Sequence, residues 1–169
     1  MSPTEPSTQP AAMIRYACAY AALAAGMEYA RDKKVNLSFA LVDAAGHLVA
    51  AARMDGAPFM TIEVARGKAF ACVASGGQSG SVLAQRYRDN PMVWGNAASL
   101  GYGAPLLPAT GGVPIFIQGQ LAGAIGASGA PSEVDEAAVL HAIESIGASA
   151  SNTPRAAALG NAPQIRKEI

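Results

Sequence analysis

The stretch VNLSFALVDAAGHLVAAARM, residues 35–54, decides the fold prediction for this chain. Apolar residues alternate with small or polar ones as far as Asp43, and the alternation resumes after residues 44–46. A period of two is typical of a strand with one buried face, and a short gap containing glycine is typical of a hairpin turn. We therefore predict a β-hairpin that carries Arg53 to the far end of its second strand, on the same face as His47.

A second hairpin is predicted further along the chain. The apolar runs 113–118 and 121–127 are separated by Gly119-Gln120, a pair of residues suited to a tight turn. Residues 89–112 have no convincing period, and we expect them to form a long loop, which in a compact domain is usually functional or mobile.

Helical periods occupy most of the remaining sequence. Helices are predicted up to about residue 33 and over 61–75, 82–87 and 132–146. The first of them repeats large apolar residues every three or four positions, and we expect this stripe to face the core: Met13, Tyr16, Tyr20, Leu23 and Met27. In the last helix, Ser132 is expected to cap the N-terminus.

The order helix, hairpin, helices, hairpin, helix predicts an α+β domain with an antiparallel sheet covered by helices on one side. We expect one domain over residues 11–147, preceded by a flexible leader over 1–10 and followed by a flexible tail over 148–169. The leader and the tail are predicted from their prolines and from the lack of an apolar pattern.

The composition argues against several classes of partner. Of the 169 residues, 51% are hydrophobic and 14% are charged, with 12 basic and 12 acidic side chains. A balanced charge gives no field to attract nucleic acid or an anionic membrane surface, and no uncharged apolar run is long enough to span a bilayer. Cys18 and Cys72 lie among small apolar residues, which favours reduced thiols and a cytoplasmic location.

Charged residues are rare enough here that a cluster of them is a candidate site. We identify Arg53, Asp55 and Lys68 as candidate catalytic residues, with Glu133 as a second candidate for proton transfer. Arg53 can clamp a carboxylate, Lys68 can stabilise negative charge, and Asp55 or Glu133 can move a proton. The competing interpretation is a local ion pair that orders a turn.

Other residues are candidates for ligand binding rather than catalysis. Gly111, Gly112 and the segment around Ser128 offer backbone donors without side-chain bulk, and Trp94 and Tyr102 offer apolar surface. The two histidines, His47 and His141, lie far apart without metal-ligand spacing, so we expect no metal site built by the protein itself.

Several of these motifs, taken in order, resemble the GlcG/HbpS family. The resemblance covers about residues 11–147 and rests on these segments: Val42-Asp43, Gly46-His47-Leu48-Val49, Arg53-Met54-Asp55-Gly56-Ala57, Lys68-Ala69, Gly111-Gly112-Val113-Pro114-Ile115, Gly123-Ala124-Ile125-Gly126-Ala127-Ser128-Gly129 and Asp135-Glu136. The family includes haem-binding proteins, proteins encoded beside glycolate and aromatic catabolic enzymes, and the C-terminal domain of PduO-type corrinoid adenosyltransferases.

The resemblance implies a profilin-like fold and self-association into dimers or larger rings. It leaves two functional hypotheses open, with a purely structural assembly protein as a third. The first is a binder of haem or another tetrapyrrole, with propionates on Arg53 or Lys68 and the rings near Trp94 and Tyr102. The second is a hydrolase or isomerase that acts on a small carboxylated metabolite in a catabolic, for example aromatic-degradation, pathway.

Haem is thus a candidate cofactor, and the histidine content sets an expectation for its affinity. The first predicted helix contains no histidine, where the PduO-like branch of the family supplies one. We therefore expect weaker haem binding than in a histidine-ligated haem protein, with an oxygen ligand such as tyrosine as the alternative.

Overall fold

The computed structural model describes residues 11–152, in which five helices accompany a four-stranded sheet. In chain order the elements are α1 (Tyr16–Asp32), β1 (Ser38–Asp43), β2 (Leu48–Arg53), α2 (Thr61–Ala74), α3 (Gly80–Asp89), α4 (Pro91–Ala98), β3 (Gly112–Ile117), β4 (Gln120–Ser128) and α5 (Ser132–Ser145). The predicted leader, residues 1–10, and the predicted tail beyond residue 152 lie outside the described residues.

The sheet is antiparallel throughout and has the strand order β2-β1-β4-β3. Both predicted hairpins are therefore confirmed, and each supplies one edge strand and one central strand. The second turn lies one residue earlier than predicted, at Gln118 and Gly119, whose φ angles are 53° and 77°. Two consecutive positive φ angles are typical of the turn type that matches the twist of a hairpin.

Helices cover both faces of the sheet, so the prediction of a sheet covered on one side is wrong. Every residue of β1 is buried. Phe39 and Leu41 belong to a core shared with α1 and α5, whereas Val42 packs with Ala69 and Cys72 of α2 on the opposite face. The alternation along β1 looked one-sided because the face under α2 is built mostly from small residues, which a hydrophobicity pattern does not distinguish from an exposed face.

The predicted inward face of α1 is also corrected by the structure. Three of the large residues of the stripe are 54–64% exposed: Met13, Tyr16 and Tyr20. The buried residues are mostly small: Ala19, Ala22, Leu23, Gly26 and Ala30. A Cβ at Gly26 would lie 2.7 Å from the ring of Phe39, so the close approach of α1 to the sheet requires small residues on the inner face.

The segment 89–112, predicted to be a loop, contains α4. The Asn90 side chain accepts a hydrogen bond from the backbone N–H of Val93, and Pro91 begins the helix. Eight residues without an apolar period are too few for a periodic pattern to reveal. The irregular residues that follow are joined to α2 by a hydrogen bond from Leu107 N to Gly67 O, 3.1 Å long.

The start of α5 and the residues that follow this helix differ from the sequence prediction. Pro131, not Ser132, occupies the N-cap position. Beyond α5, Ser149 exchanges two backbone hydrogen bonds with Phe116 of β3, so the first residues of the predicted tail pack against the sheet. None of the helices formed by residues 11–152 is long and apolar enough to cross a membrane.

Candidate functional site

Lys68 lies inside the protein and forms a buried ion pair. Its side chain points from α2 across the end of β4, where Nζ donates to Asp135 Oδ2 and to the Ala127 carbonyl oxygen, both at 2.9 Å. The side chains of Lys68 and Asp135 are only 6% and 3% exposed. Asp135 Oδ1 accepts a third hydrogen bond from the Ala130 backbone N–H at 3.1 Å. Both charges are therefore paired out of reach of bulk water.

Burial decides the protonation equilibrium of Asp135. Removal from water raises the pKa of this carboxyl above its ordinary value, and the hydrogen bond and charge of Lys68 oppose the rise. Asp135 belongs to one of the segments that carry the family resemblance, but it was not predicted to be a site residue. Its position in the first turn of α5, beside the start of the helix dipole, also favours a negative charge.

The glycine pair before β3 completes the surroundings of this ion pair. Gly111 has φ +98°, and a Cβ there would lie 2.9 Å from Asp135 Cβ and 3.0 Å from Lys68 Nζ. A Cβ at Gly112 would lie 2.6 Å from the Lys68 carbonyl oxygen. The structure therefore brings together Lys68, Gly111 and Gly112 of the predicted site. Here the absent side chains make room for the ion pair and for α2.

Arg53 is the last residue of β2, and Asp55 lies in the turn that follows; both side chains are exposed. Arg53 Nη1 donates to the Ala57 carbonyl oxygen at 2.7 Å, which closes that turn. Within the described part of the chain, no hydrogen bond or ion pair joins Arg53 or Asp55 to Lys68.

Ser128 and Glu133 occupy different environments. Ser128 and Arg53 both pair in register with Ser38, from opposite sides of β1, and Ser128 is 9% exposed. Glu133 is exposed near the start of α5. The catalytic and binding roles suggested for these residues stay predictions.

Trp94 and Tyr102 meet at one apolar pocket on the outer side of α2. The pocket has a volume of about 180 Å³, and α2, α4 and the loop after α4 supply the rest of its lining: Ala71, Ala74, Ser75, Ala97 and Leu106. The Tyr102 ring also packs against Phe70, with the two ring centroids 6.0 Å apart.

A second cleft, of about 330 Å³, adjoins the first because Tyr102 lines both. Arg66 and Phe70 of α2 form one wall of this cleft, residues 45–48 of the β1–β2 turn form another, and residues 102–104 close it. His47 contributes the imidazole of this turn and is 80% exposed. The sequence analysis missed Arg66, although a charged residue within an apolar helical run was an available signal.

Within the described residues, neither His47 nor His141 belongs to a group of three metal-ligating side chains. Asp43 Oδ2 lies 3.7 Å from His47 Nδ1, and the ring of His141 lies beside that of Tyr29, with centroids 5.3 Å apart. Among residues 11–152, no three His, Cys, Asp or Glu side chains converge in a way that could hold a metal ion.

Known proteins share both the sequence pattern and the fold of this chain. Residues 14–144 match the family described as haem degrading protein HbpS-like. Protein GlcG of Escherichia coli K12 is 34% identical over 111 residues, which are 65% of this chain and 77% of GlcG.

Solved structures extend the likeness to a larger share of the chain. A double mutant of Streptomyces reticuli HbpS is 26% identical, with a TM-score of 0.71 over 85% of this chain and 96% of that protein. A PduOC–haem complex is 24% identical, with a TM-score of 0.73 over 82% of this chain and 99% of that one. The family model and the GlcG match together establish the relationship: the chain belongs to the GlcG/HbpS family, with the fold of its HbpS-like members.

Proposed function

We propose that the protein binds a flat, largely apolar molecule of the tetrapyrrole class, haem included, against the outer side of α2. One observation carries the proposal: Trp94 and Tyr102 together line an apolar pocket on that helix. Aromatic side chains are well suited to packing against the face or edge of a conjugated ring. The family description, which names haem degradation, and the haem complex of the PduOC relative support the same ligand class.

The residues of the pocket fit part of a haem. A volume of about 180 Å³ accommodates one edge of the macrocycle and leaves the remainder over the adjoining cleft. The Tyr102 phenol oxygen is the side-chain group of the pocket with precedent as a ligand of haem iron. Haem, when bound, would supply a redox-active iron. The protein would supply the apolar surface and, from Arg66 in the adjoining cleft, a cation for the propionates.

A haem titration followed by the Soret band tests this proposal. We expect the titration to reach a saturable endpoint, with a haem affinity lower than that of a histidine-ligated protein. Trp94→Ala should weaken binding by about tenfold or more, because burial of a large apolar side chain is worth roughly 1.5–3 kcal/mol. Tyr102→Phe should keep the packing surface but shift the Soret band if the phenol oxygen coordinates the iron.

Tyr20→Ala is the matched control, since Tyr20 is 62% exposed on α1 and lines neither pocket. If Trp94→Ala and Tyr20→Ala bind haem equally well, the tetrapyrrole is not held at this pocket. A titration of the unmodified protein that never saturates would reject haem binding itself.

A second candidate function is catalysis on a small carboxylated metabolite, by hydrolysis or isomerisation. The observation that favours it is the presence of His47, a proton-carrying imidazole, in the same cleft as the guanidinium of Arg66. The experiment is a turnover screen of small hydroxy acids and carboxylate esters. His47→Ala should abolish any turnover found while leaving the melting temperature unchanged, and turnover that survives this substitution would contradict the role of His47.

A further inference from the structure

We propose that the cleft between the β1–β2 turn and α2 is a carboxylate-binding site in which Arg66 is the anion anchor. Its ligand class is a carboxylate carried on a flat ring. The inference concerns what recognises the carboxylate and does not require the ligand to be haem, so it deepens the proposed function without depending on its success.

The first support is the state of the Arg66 guanidinium. Its Nε atom is buried and has no hydrogen-bond partner among residues 11–152. In the part of the chain that the structure describes, the ionic contact of this side chain joins Nη1 to Glu63 Oε2 at 3.6 Å, and the Glu63 side chain is 63% exposed. An exposed ion pair of this length is weak. Among the described residues, the Nη groups of Arg66 are therefore held only by this weak contact, unlike Arg53, whose Nη1 donates to a backbone carbonyl.

The second support is the charge of the cleft. Arg66 and His47 line it, and no Asp or Glu is among the described residues of its wall. The nearby Asp43 lies behind His47, and its Oδ1 atom already accepts from the backbone N–H groups of Ala45 and His47 at 2.9 and 3.0 Å. An anion that enters the cleft thus meets an arginine with no acidic residue in the described part of the cleft wall, and the exposed Glu63 carboxylate is the group that it must displace.

The third support is the spacing between the cation and the aromatic wall. Arg66 and Phe70 stand at positions i and i+4 of α2, where Cβ atoms are about 5–6 Å apart on one helix face. The Phe70 ring packs against Tyr102, and a Cβ at Gly46 would lie 2.7 Å from it, so the β1–β2 turn rests on this ring. A fork one turn away from an aromatic surface suits a carboxylate carried on a flat ring.

The same chemistry has two sources. One is a small aromatic carboxylate, for which about 330 Å³ is within the usual range of ligand pockets. The other is a propionate of a tetrapyrrole that lies over the adjoining Trp94 pocket. Both place a carboxylate on Arg66, and they differ in whether the remainder of the ligand needs Trp94.

Calorimetric titration with benzoate tests the site directly, with benzamide as the neutral probe of the same shape. We expect benzoate to bind more tightly than benzamide. Arg66→Gln should weaken benzoate at least tenfold, which corresponds to about 1.4 kcal/mol. Arg66→Lys keeps the charge but not the fork and should bind with intermediate affinity. It also provides a second variant should Arg66→Gln fold poorly.

Arg86→Gln is the matched control, because Arg86 is an exposed arginine on α3 that does not line the cleft. Equal benzoate affinity in Arg66→Gln and Arg86→Gln, or equal binding of benzoate and benzamide, would overturn the inference. Thermal melts of each variant show that the comparison is made on folded protein.

Haem and its dimethyl ester, in which both propionates are blocked, separate the two sources. If Arg66→Gln weakens both benzoate and haem but not the ester, the site also accepts a propionate. If it weakens benzoate and leaves haem unchanged, the site accepts a small free carboxylate. Should haem fail to bind while benzoate depends on Arg66, the inference stands and the proposed function fails. If haem binding depends on Trp94 but benzoate binding does not depend on Arg66, the proposed function stands and the inference fails.

Discussion

Replacement of Lys68 by methionine should strongly destabilise the fold, because the ion pair it forms with Asp135 is buried. The substitution keeps most of the apolar stem but removes the donor that serves Asp135 Oδ2 and the Ala127 carbonyl, each 2.9 Å away. With both side chains no more than 6% exposed, water cannot replace Nζ. Removal of one partner of such a pair costs about 3–5 kcal/mol.

A loss of that size should lower Tm by roughly 10 °C in a chain of this length. The assay is chemical denaturation with a thermal melt, on the unmodified protein and on Lys68→Met. The double variant Lys68→Met/Asp135→Asn removes both charges, and the oxygen of the new amide can still accept from the Ala130 backbone N–H. We therefore expect the double variant to be more stable than the single one.

The pH dependence of the loss follows from the raised pKa of Asp135. Since the folded state holds this proton more tightly, stability falls as pH rises from the ordinary pKa of 3.8 towards the folded value. Without Lys68 the pKa of Asp135 rises further, so the pH range over which stability is lost extends upward. Lys68→Met should therefore lose less stability, relative to the unmodified protein, at pH 5 than at pH 8.

A loss below about 1 kcal/mol, or one independent of pH, would refute the buried-pair argument, because it is the behaviour of a surface ion pair. Unchanged stability with abolished ligand binding would instead return Lys68 to the catalytic role predicted from the sequence. Arg86→Met is a suitable control, since it removes an exposed arginine outside this pair.

Three further predictions follow from packing. Gly126→Ala should cost about 1–3 kcal/mol in a denaturation experiment, since its Cβ would collide with a carbonyl oxygen of α2. Burial raises the pKa of Cys72 to about 12, so iodoacetamide at pH 8 should label the half-buried Cys18 and spare Cys72, as mass spectrometry of tryptic peptides can show. We also expect self-association through the exposed face of α1, so the double variant Tyr16→Glu/Tyr20→Glu should lower the mass measured by light scattering. A monomeric mass for the unmodified protein would contradict this prediction.

The hairpins and the fold class were readable from the sequence because their signals are local. The alternation in residues 35–54 and the glycine at the second turn act within a few positions of the chain, where period and φ preference are decided. The order of these segments led to an α+β domain, and the ordered motifs led to the family.

The inward face of α1 could not be read in the same way. In a helix this rich in alanine, the largest residues suggest a core stripe, but the distance between α1 and Phe39 is too short for them. The small face is buried instead, and Tyr16 and Tyr20 remain outside. Only the packing distance between a helix and a sheet decides this, and no local pattern encodes that distance.

Part of the candidate site could likewise be predicted from the sequence, and part of it could not. The sequence by itself identified Lys68, the Gly111-Gly112 pair, Trp94 and Tyr102 as residues of interest, because their types are unusual in their surroundings. Only the tertiary structure decided that Lys68 meets Asp135, 67 positions away, inside the core, and that Arg66 faces the cleft. A charge is buried or available according to which neighbours the whole fold brings to it, and those neighbours are distant in the chain.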